Sequence, residues 1–155
     1  MRFDIVSDTH GYLSDDLLAE LEGADVIVHA GDMCSYENYR RLEEIAPLHM
    51  CLGNNDWGTD YGPWVSRVTT FFSAGLRWQV CHYEERLDLL VCEIAICGHT
   101  HRPFIQVDDR THTLVMNPGS PSLPRGGGPT IGRIMAANGQ VQSADIIELP
   151  PLHRW

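Results

Sequence analysis

Apolar residues in the first third of the chain fall into short runs of strand length, residues 2–7, 25–30 and 48–52. Between them, 14–22 and 37–46 read as helices. Ser14 stands before Leu17, Leu18 and Leu21, an N-cap ahead of apolar residues at helical spacing, and Gly23 stops the run. Strand, helix, strand, helix, strand in succession implies a parallel sheet. The second half changes character. Residues 67–73 and 76–82 read as strands joined at Ala74 and Gly75, 84–92 as a helix, and Ile94–Cys97 as a further short strand. Strands follow at 104–107, 112–116, 130–136 and 141–148, with hairpin turns at Asp108–Thr111 and Asn138–Gly139. A strand-rich half laid on an alternating half predicts an α/β fold in which two sheets face each other with helices outside. Gly53–Pro63, rich in Gly, Asn and Asp and without periodicity, reads as a long loop, and Gly126–Pro129 as another.

Four of the apolar runs end in metal-type ligands: Asp8, Thr9, His10; Gly31, Asp32; Gly53, Asn54, Asn55, Asp56; and Gly98, His99, Thr100, His101. Side chains two apart on a strand share a face, so Asp8 with His10, and His99 with His101, can aim at one point. In open α/β sheets ligands gather in the crevice beyond the carboxyl ends of the strands, where all four clusters fall. Carboxylate with imidazole is the donor set of Mn, Fe, Co, Ni or Zn. An Asp-x-His tripeptide is common by chance, Asp32 equally suits a helix cap, and Asn54 equally suits a turn. Two imidazoles behind a glycine, His99 and His101, are poorly explained by packing. His82 shares a strand face with Leu76, Trp78 and Val80, which allows either a core histidine or an inward ligand. His29, His49, His112 and His153 read as structural or exposed.

Composition narrows the partners. At 155 residues the chain is the size of one domain, spanning 1–155. Its net charge is −10, it contains no lysine, and Arg40–Arg41 is its one basic pair, so long nucleic acid is excluded as an expected partner. No run of about 18 apolar residues offers a membrane span. Asp4 and Asp8 inside the first run argue against a signal peptide, so a cytoplasmic location is expected. Cys34, Cys51, Cys81, Cys92 and Cys97 lack CxxC spacing and read as buried free thiols.

Taken in order, D-x-H, G-D, G-N, H and G-H-x-H resemble the calcineurin-like metallophosphoesterase superfamily, and within it the small YfcE-type phosphodiesterases. Asn117–Pro118–Gly119–Ser120 followed by Pro124–Arg125 resembles that subfamily's N-P-G-S and P-R signature. The resemblance implies a four-layer α/β/β/α sandwich with two facing mixed sheets. It implies one metal site from Asp8, His10, Asp32 and His101 and a second from Asp32, Asn54, His82 and His99, with Asp32 bridging. It further implies two divalent transition-metal ions, manganese foremost and Fe, Ni, Co or Zn as alternatives. The activity implied is hydrolysis of small phosphodiesters through hydroxide bridging the ions. Two departures stand out. Asn55 occupies the position where many relatives carry a histidine able to protonate the leaving group, and Tyr83 follows His82 where glycine is usual. Arg102 and Arg125 are candidate phosphate contacts, and Trp57, Tyr61 and Trp64 are candidates to stack on a base or to line a homo-oligomer interface. A protein-binding scaffold on the same fold, and a mononuclear zinc protein using the histidines alone, are the competing readings.

Overall fold

The computed structural model describes residues 1–153. Its elements in chain order are β1 (Arg2–Val6), α1 (Asp15–Leu21), β2 (Val26–His29), α2 (Tyr36–Ile45), β3 (Leu48–Met50), β4 (Val68–Ser73) and β5 (Leu76–Cys81). After them come β6 (Ile94–Ile96), β7 (Phe104–Val107), β8 (Leu114–Asn117), β9 (Thr130–Ala137) and β10 (Gln140–Glu148). They form two five-stranded mixed sheets, ordered β10-β9-β1-β2-β3 and β4-β5-β6-β8-β7. In the first, β1, β2 and β3 run parallel while β9 is antiparallel to β1. In the second, β5, β6 and β8 run parallel, flanked by antiparallel β4 and β7.

The period-two pattern of β1 divides its side chains between two cores. Phe3 and Ile5 face the second sheet and join Trp78, Val80, Ile94, Ile96 and Met116 in the layer between the sheets. The Phe3 ring lies 4.4 Å from that of Trp78, which stacks in turn on Phe71 at 5.3 Å. The other face of the first sheet is covered by α1 and α2 through Leu17, Leu21, Tyr39 and Leu42. Each helix starts where a serine caps it: Ser14 accepts from the Leu17 amide and Ser35 from the Asn38 amide. Asp4 also points to this side, wholly buried, and binds the guanidinium groups of Arg2 and Arg133 at 2.7 and 2.8 Å. Its charge is therefore spent on internal ion pairs.

Three departures from the sequence expectations have physical causes. Residues 84–92 make one 3-10 turn, Glu84–Arg86, in place of a helix. The Gln79 side chain captures Asp88 instead, accepting from its amide at 2.7 Å and donating to its carbonyl at 3.3 Å, so the backbone is diverted from helical pairing. Leu87 and Leu89 then pack under the outer face of the second sheet against Cys92 and Val115, and this segment supplies the fourth layer. Among the cysteines, Cys34 is exposed while the other four are buried free thiols. The strand expected at 112–116 starts at Leu114, because Asp108, His112 and Thr113 are held in the preceding turn.

At the end of the sandwich away from the parallel strands' carboxyl ends, two hairpin tips meet. Gly139, in the Asn138–Gly139 turn, donates to the carbonyl of Ala74 in the Ala74–Gly75 turn at 2.8 Å. A Cβ on Gly75 would approach the Gly139 backbone to 2.5 Å, so glycine is required there for the tips to touch. No helix among the described residues is long and apolar enough to cross a membrane. Replacing Trp78, which fills the space between the sheets, is expected to leave a cavity that cannot collapse. Trp78→Ala should lower the unfolding free energy by about 3 to 5 kcal/mol, read from urea denaturation monitored by circular dichroism.

Candidate metal centre

The expected ligands leave the strands by an unexpected geometry. β1 ends at Val6 and β6 at Ile96, so Asp8, His10, His99 and His101 lie in loops, outside the two-residue alternation of a strand. Their convergence is produced by left-handed backbone: φ is 56° at Asp8, 49° at His10, 59° at Asp32, 72° at His99 and 60° at His101. Asp and His tolerate this region better than most side chains, but each such residue stores of order 1 kcal/mol or more. The glycines of the clusters let the loops nest. A Cβ on Gly31 would meet the Gly53 amide at 2.7 Å and His82 Nδ1 at 2.8 Å, and one on Gly98 would collide with Ser7 Oγ and the Asp8 carboxylate.

At the centre lies Asp8, with no exposed surface. Its Oδ2 accepts from Ser7 Oγ at 2.6 Å and from the His99 amide at 3.0 Å. Its Oδ1 is buried with no hydrogen-bond partner, and so is His82 Nε2. Around Asp8 Oδ1 stand the Nε2 atoms of His101 at 3.3 Å and of His10 and His82 at 3.7 Å. Asp32 Oδ2 lies between two of the same rings, 3.6 Å from His10 Nε2 and 3.4 Å from His82 Nε2. Asp8, His10 and His101 therefore form one compact ligand group and Asp8, Asp32 and His82 another. Donors bound at about 2.0 to 2.2 Å to one ion sit about 3 to 4 Å apart, the spacing seen here.

Hydrogen bonds behind the ligands fix which ring nitrogen faces inward. His82 Nδ1 donates to the Ala30 carbonyl at 2.7 Å and His101 Nδ1 to the Leu123 carbonyl at 2.6 Å, which leaves each Nε2 lone pair aimed at the carboxylates. Asn55 grips Asp32 twice, its amide reaching Oδ1 and its Nδ2 reaching Oδ2, both at 2.9 Å. Asn54 and His99 sit at the exposed rim, and His99 belongs to neither compact group. The His99 ring lies 5.1 Å from that of His82, and Asn54 lines a cleft of about 400 Å³ that His82 also lines.

The charges are strongly coupled. Burial alone would raise the Asp8 carboxyl, but the facing imidazoles of His10 and His101 and the charge of His82 hold it well below the usual carboxylate range. Asp32 is lowered in the same way: burial opposes the shift, and His82 with the Asn55 backbone outweighs it. Burial works against the His82 cation, yet Asp32 and Asp8 raise it, while Asp8 is the main cause of the upward shift at His101.

Sequence reasoning missed the residues that hold the loops. Asp56, almost fully buried, accepts from the amides of Asp32 and Gly53, both at 2.7 Å, and of Cys34 at 2.9 Å. Asn117 donates to the Gly98 carbonyl at 3.0 Å, Ser120 to the Asp8 carbonyl at 2.7 Å and Ser122 to the Thr9 carbonyl at 2.7 Å. The N-P-G-S run is thus a strap between the loops of the two sheets, and its presence as a motif was the available signal. Tyr61 is buried against Tyr39 and Asp56, which removes it as a stacking face, while Trp57 and Trp64 are exposed. Arg102 and Arg125 are exposed on the His101 side and do not line the cleft.

This arrangement, two ligand groups at the carboxyl ends of facing sheets, agrees with the family comparison: residues 1–139 match the calcineurin-like phosphoesterase superfamily domain. The chain belongs to that superfamily. A probable metallophosphoesterase of Methanothermobacter thermautotrophicus is 29% identical over 163 residues, covering 95% of this chain and 92% of its own. Among solved structures, an archaeal phosphodiesterase superposes with a TM-score of 0.71 at 22% identity, covering 95% of this chain and all of its own (100%). The YfcE phosphoesterase of E. coli gives 0.67 at 23%, covering 94% and 98%. Vacuolar Protein Sorting 29 from Cryptosporidium parvum gives 0.75 at 14% identity, covering 95% and 97%. At these identities the structures establish the shared fold, a metallophosphoesterase sandwich.

Behind the two ligand groups, His29 is buried and neutral. Its Nδ1 accepts from the Gly31 amide, leaving Nε2 to donate to Thr9 Oγ1, and burial pushes its pKa down to about 4. A histidine lowered on folding binds fewer protons than it does unfolded between about 6.5 and 4, so its contribution to stability is complete above that window and is lost as pH falls through it. The loss should amount to about 3 kcal/mol. Urea unfolding of the wild type and His29→Gln at successive pH values is expected to show this slope in the wild type and its reduction in the variant.

Proposed function

We propose that this chain is a metal-dependent phosphodiesterase acting on small phosphodiesters, with residues 1–155 working as one catalytic domain. The observation that carries the reading is the buried, unpartnered Asp8 Oδ1 ringed by the Nε2 atoms of His10, His82 and His101 and flanked by Asp32. Orphaned buried polar atoms are rare, and here there are two, Asp8 Oδ1 and His82 Nε2; an ion in each ligand group would satisfy one of them. Asp8, His10, Asp32 and His101 would hold one ion, and Asp32, Asn54, His82 and His99 the other, with manganese first among the divalent ions suited to nitrogen and oxygen donors. Such a pair supplies Lewis-acid polarisation of the phosphoryl oxygens and activation of water for in-line displacement.

The protein's own residues set the limits of that chemistry. His82 and His101 keep their rings oriented through Ala30 and Leu123. Asn55 is committed to Asp32 and carries no acidic proton, and the Asp56 oxygens are occupied by backbone amides, so neither delivers a proton to the departing oxygen. Esters with good leaving groups are accordingly favoured, and rates should depend steeply on leaving-group pKa. A protein-binding scaffold finds support in the fold shared with Vacuolar Protein Sorting 29, but all seven ligand positions of the family pattern are filled in the sequence, which favours the enzyme.

A panel of phosphomonoesters and phosphodiesters, assayed with several metals, tests the activity. Asp32→Ala is expected to lower turnover of aryl phosphodiesters by about a thousandfold and to reduce the bound metal from about two ions per chain, measured by elemental analysis. No turnover of any phosphodiester by the manganese-loaded protein, together with unchanged metal content in Asp32→Ala, would end the enzyme reading; a single zinc per chain would favour the mononuclear one. His99 is exposed, so His99→Ala should leave stability within about 0.5 kcal/mol in urea unfolding while activity falls by about a hundredfold. Equal loss of both would return His99 to a structural role.

A further inference from the structure

The cleft beside His82 is larger than the scissile group needs and has an unusual charge for so acidic a chain. Its volume of about 400 Å³ falls in the range of sites that enclose a small organic ligand. Asn54 and His82 line it on the metal side, and Arg67 and Arg86 line it further out. The Arg86 guanidinium lies 4.8 Å from the centre of the Tyr83 ring, and Tyr83 packs on His99 at 4.7 Å, so this cation is anchored to the rim of the centre. No carboxylate lies within ion-pair distance of Arg67 or Arg86 among the described residues. Asp56 is the one carboxylate in the lining, and its oxygens are spent on backbone amides. Glu84 and Glu85, next to Arg86 in sequence, line a separate hollow instead. The cleft is thus positive in a chain of net charge −10.

We propose that Arg67 and Arg86 receive a second anionic group of the substrate, a phosphate or carboxylate carried on one arm of the diester whose phosphorus sits at the metal centre. In-line displacement places the two arms of a diester on different sides of the phosphorus, and one of them leaves the centre through this cleft. Guanidinium groups suit the far end of that arm, because they bind phosphate or carboxylate through paired, charge-assisted hydrogen bonds. The proposal deepens the phosphodiesterase reading and rests on it: Arg67 and Arg86 are specificity-determining residues of the same site.

The p-nitrophenyl ester of thymidine 5′-phosphate, with and without a 3′-phosphate, tests this in the metal-loaded full chain. The 3′-phosphorylated ester is expected to have a kcat/KM higher by about tenfold, chiefly through KM. The Arg67→Ala/Arg86→Ala double variant should bring the ratio of the two esters to about one, while Arg110→Ala, on a remote turn, should keep the wild-type ratio. Raising NaCl from about 50 to about 500 mM should shrink the wild-type ratio. Calorimetric binding of thymidine 3′,5′-bisphosphate against thymidine 5′-phosphate supplies a readout independent of turnover, with the tighter binding of the bisphosphate abolished in the double variant. A wild-type ratio near one, or a preference that survives the double substitution, overturns the proposal. If neither ester is hydrolysed, the phosphodiesterase reading fails, and the binding comparison still decides whether Arg67 and Arg86 hold a second anion.

Discussion

A single buried carboxylate sets the terms for the rest of the molecule. Asp8 leaves the first sheet; Ser7 and His10 of its own loop answer part of its charge, and the His82 and His101 rings and the His99 amide answer the rest from the second. A carboxylate removed from water is tolerated only where cations or dipoles surround it. That requirement explains features that otherwise look unrelated. Gly98 must lack a side chain so that Asp8 and Ser7 can approach, and Asp8, His10, Asp32 and His101 adopt left-handed backbone that turns their side chains inward. Asn117, Ser120 and Ser122 spend their polar atoms on loop carbonyls to hold that costly backbone in place.

The acidity of the chain and the chemistry of its centre are reconciled by geography. Asp4 neutralises Arg2 and Arg133 on the helical side of the first sheet, and Glu93 pairs with Arg77 on the surface. Asp56 looks from the sequence like a free carboxylate beside the ligands, but it is consumed by the amides of three loop residues. Negative charge is therefore kept out of the cleft, except in the groups that would face a cation. Arg67 and Arg86 thus place two cations in the lining of a cleft on a chain whose net charge is −10.

Much of this was legible in the chain. Ser14 and Ser35 cap the two helices that cover the first sheet, and the observed bounds Asp15–Leu21 and Tyr36–Ile45 lie within a residue of the expected 14–22 and 37–46. The ligand clusters were visible because glycine followed by Asp, Asn or His after an apolar run is poorly explained by packing. What failed to show were effects set by distant partners. Nothing local to residues 84–92 reveals that Gln79 captures Asp88 and stops a helix from forming. The convergence of Asp8 with His10 was expected for the wrong reason, since strand alternation and left-handed backbone both bring residues two apart together, and only the folded backbone distinguishes them. His82, with an unusual neighbour in Tyr83, is among the most deeply buried of the candidate ligands.

The contact between the two hairpin tips gives the sandwich two unlike ends. At one, Gly139 is bonded to Ala74 by main-chain groups that do not titrate and bind no ion. At the other, the sheets meet across carboxylates and imidazoles whose mutual attraction changes with protons and with metal. The Asn117–Ser122 strap adds bonds at that end which do not titrate, so only part of the contact between the sheets there answers to protons or to a cation. A cation bound there would stabilise the folded state by joining the two sheets at that one end of the sandwich.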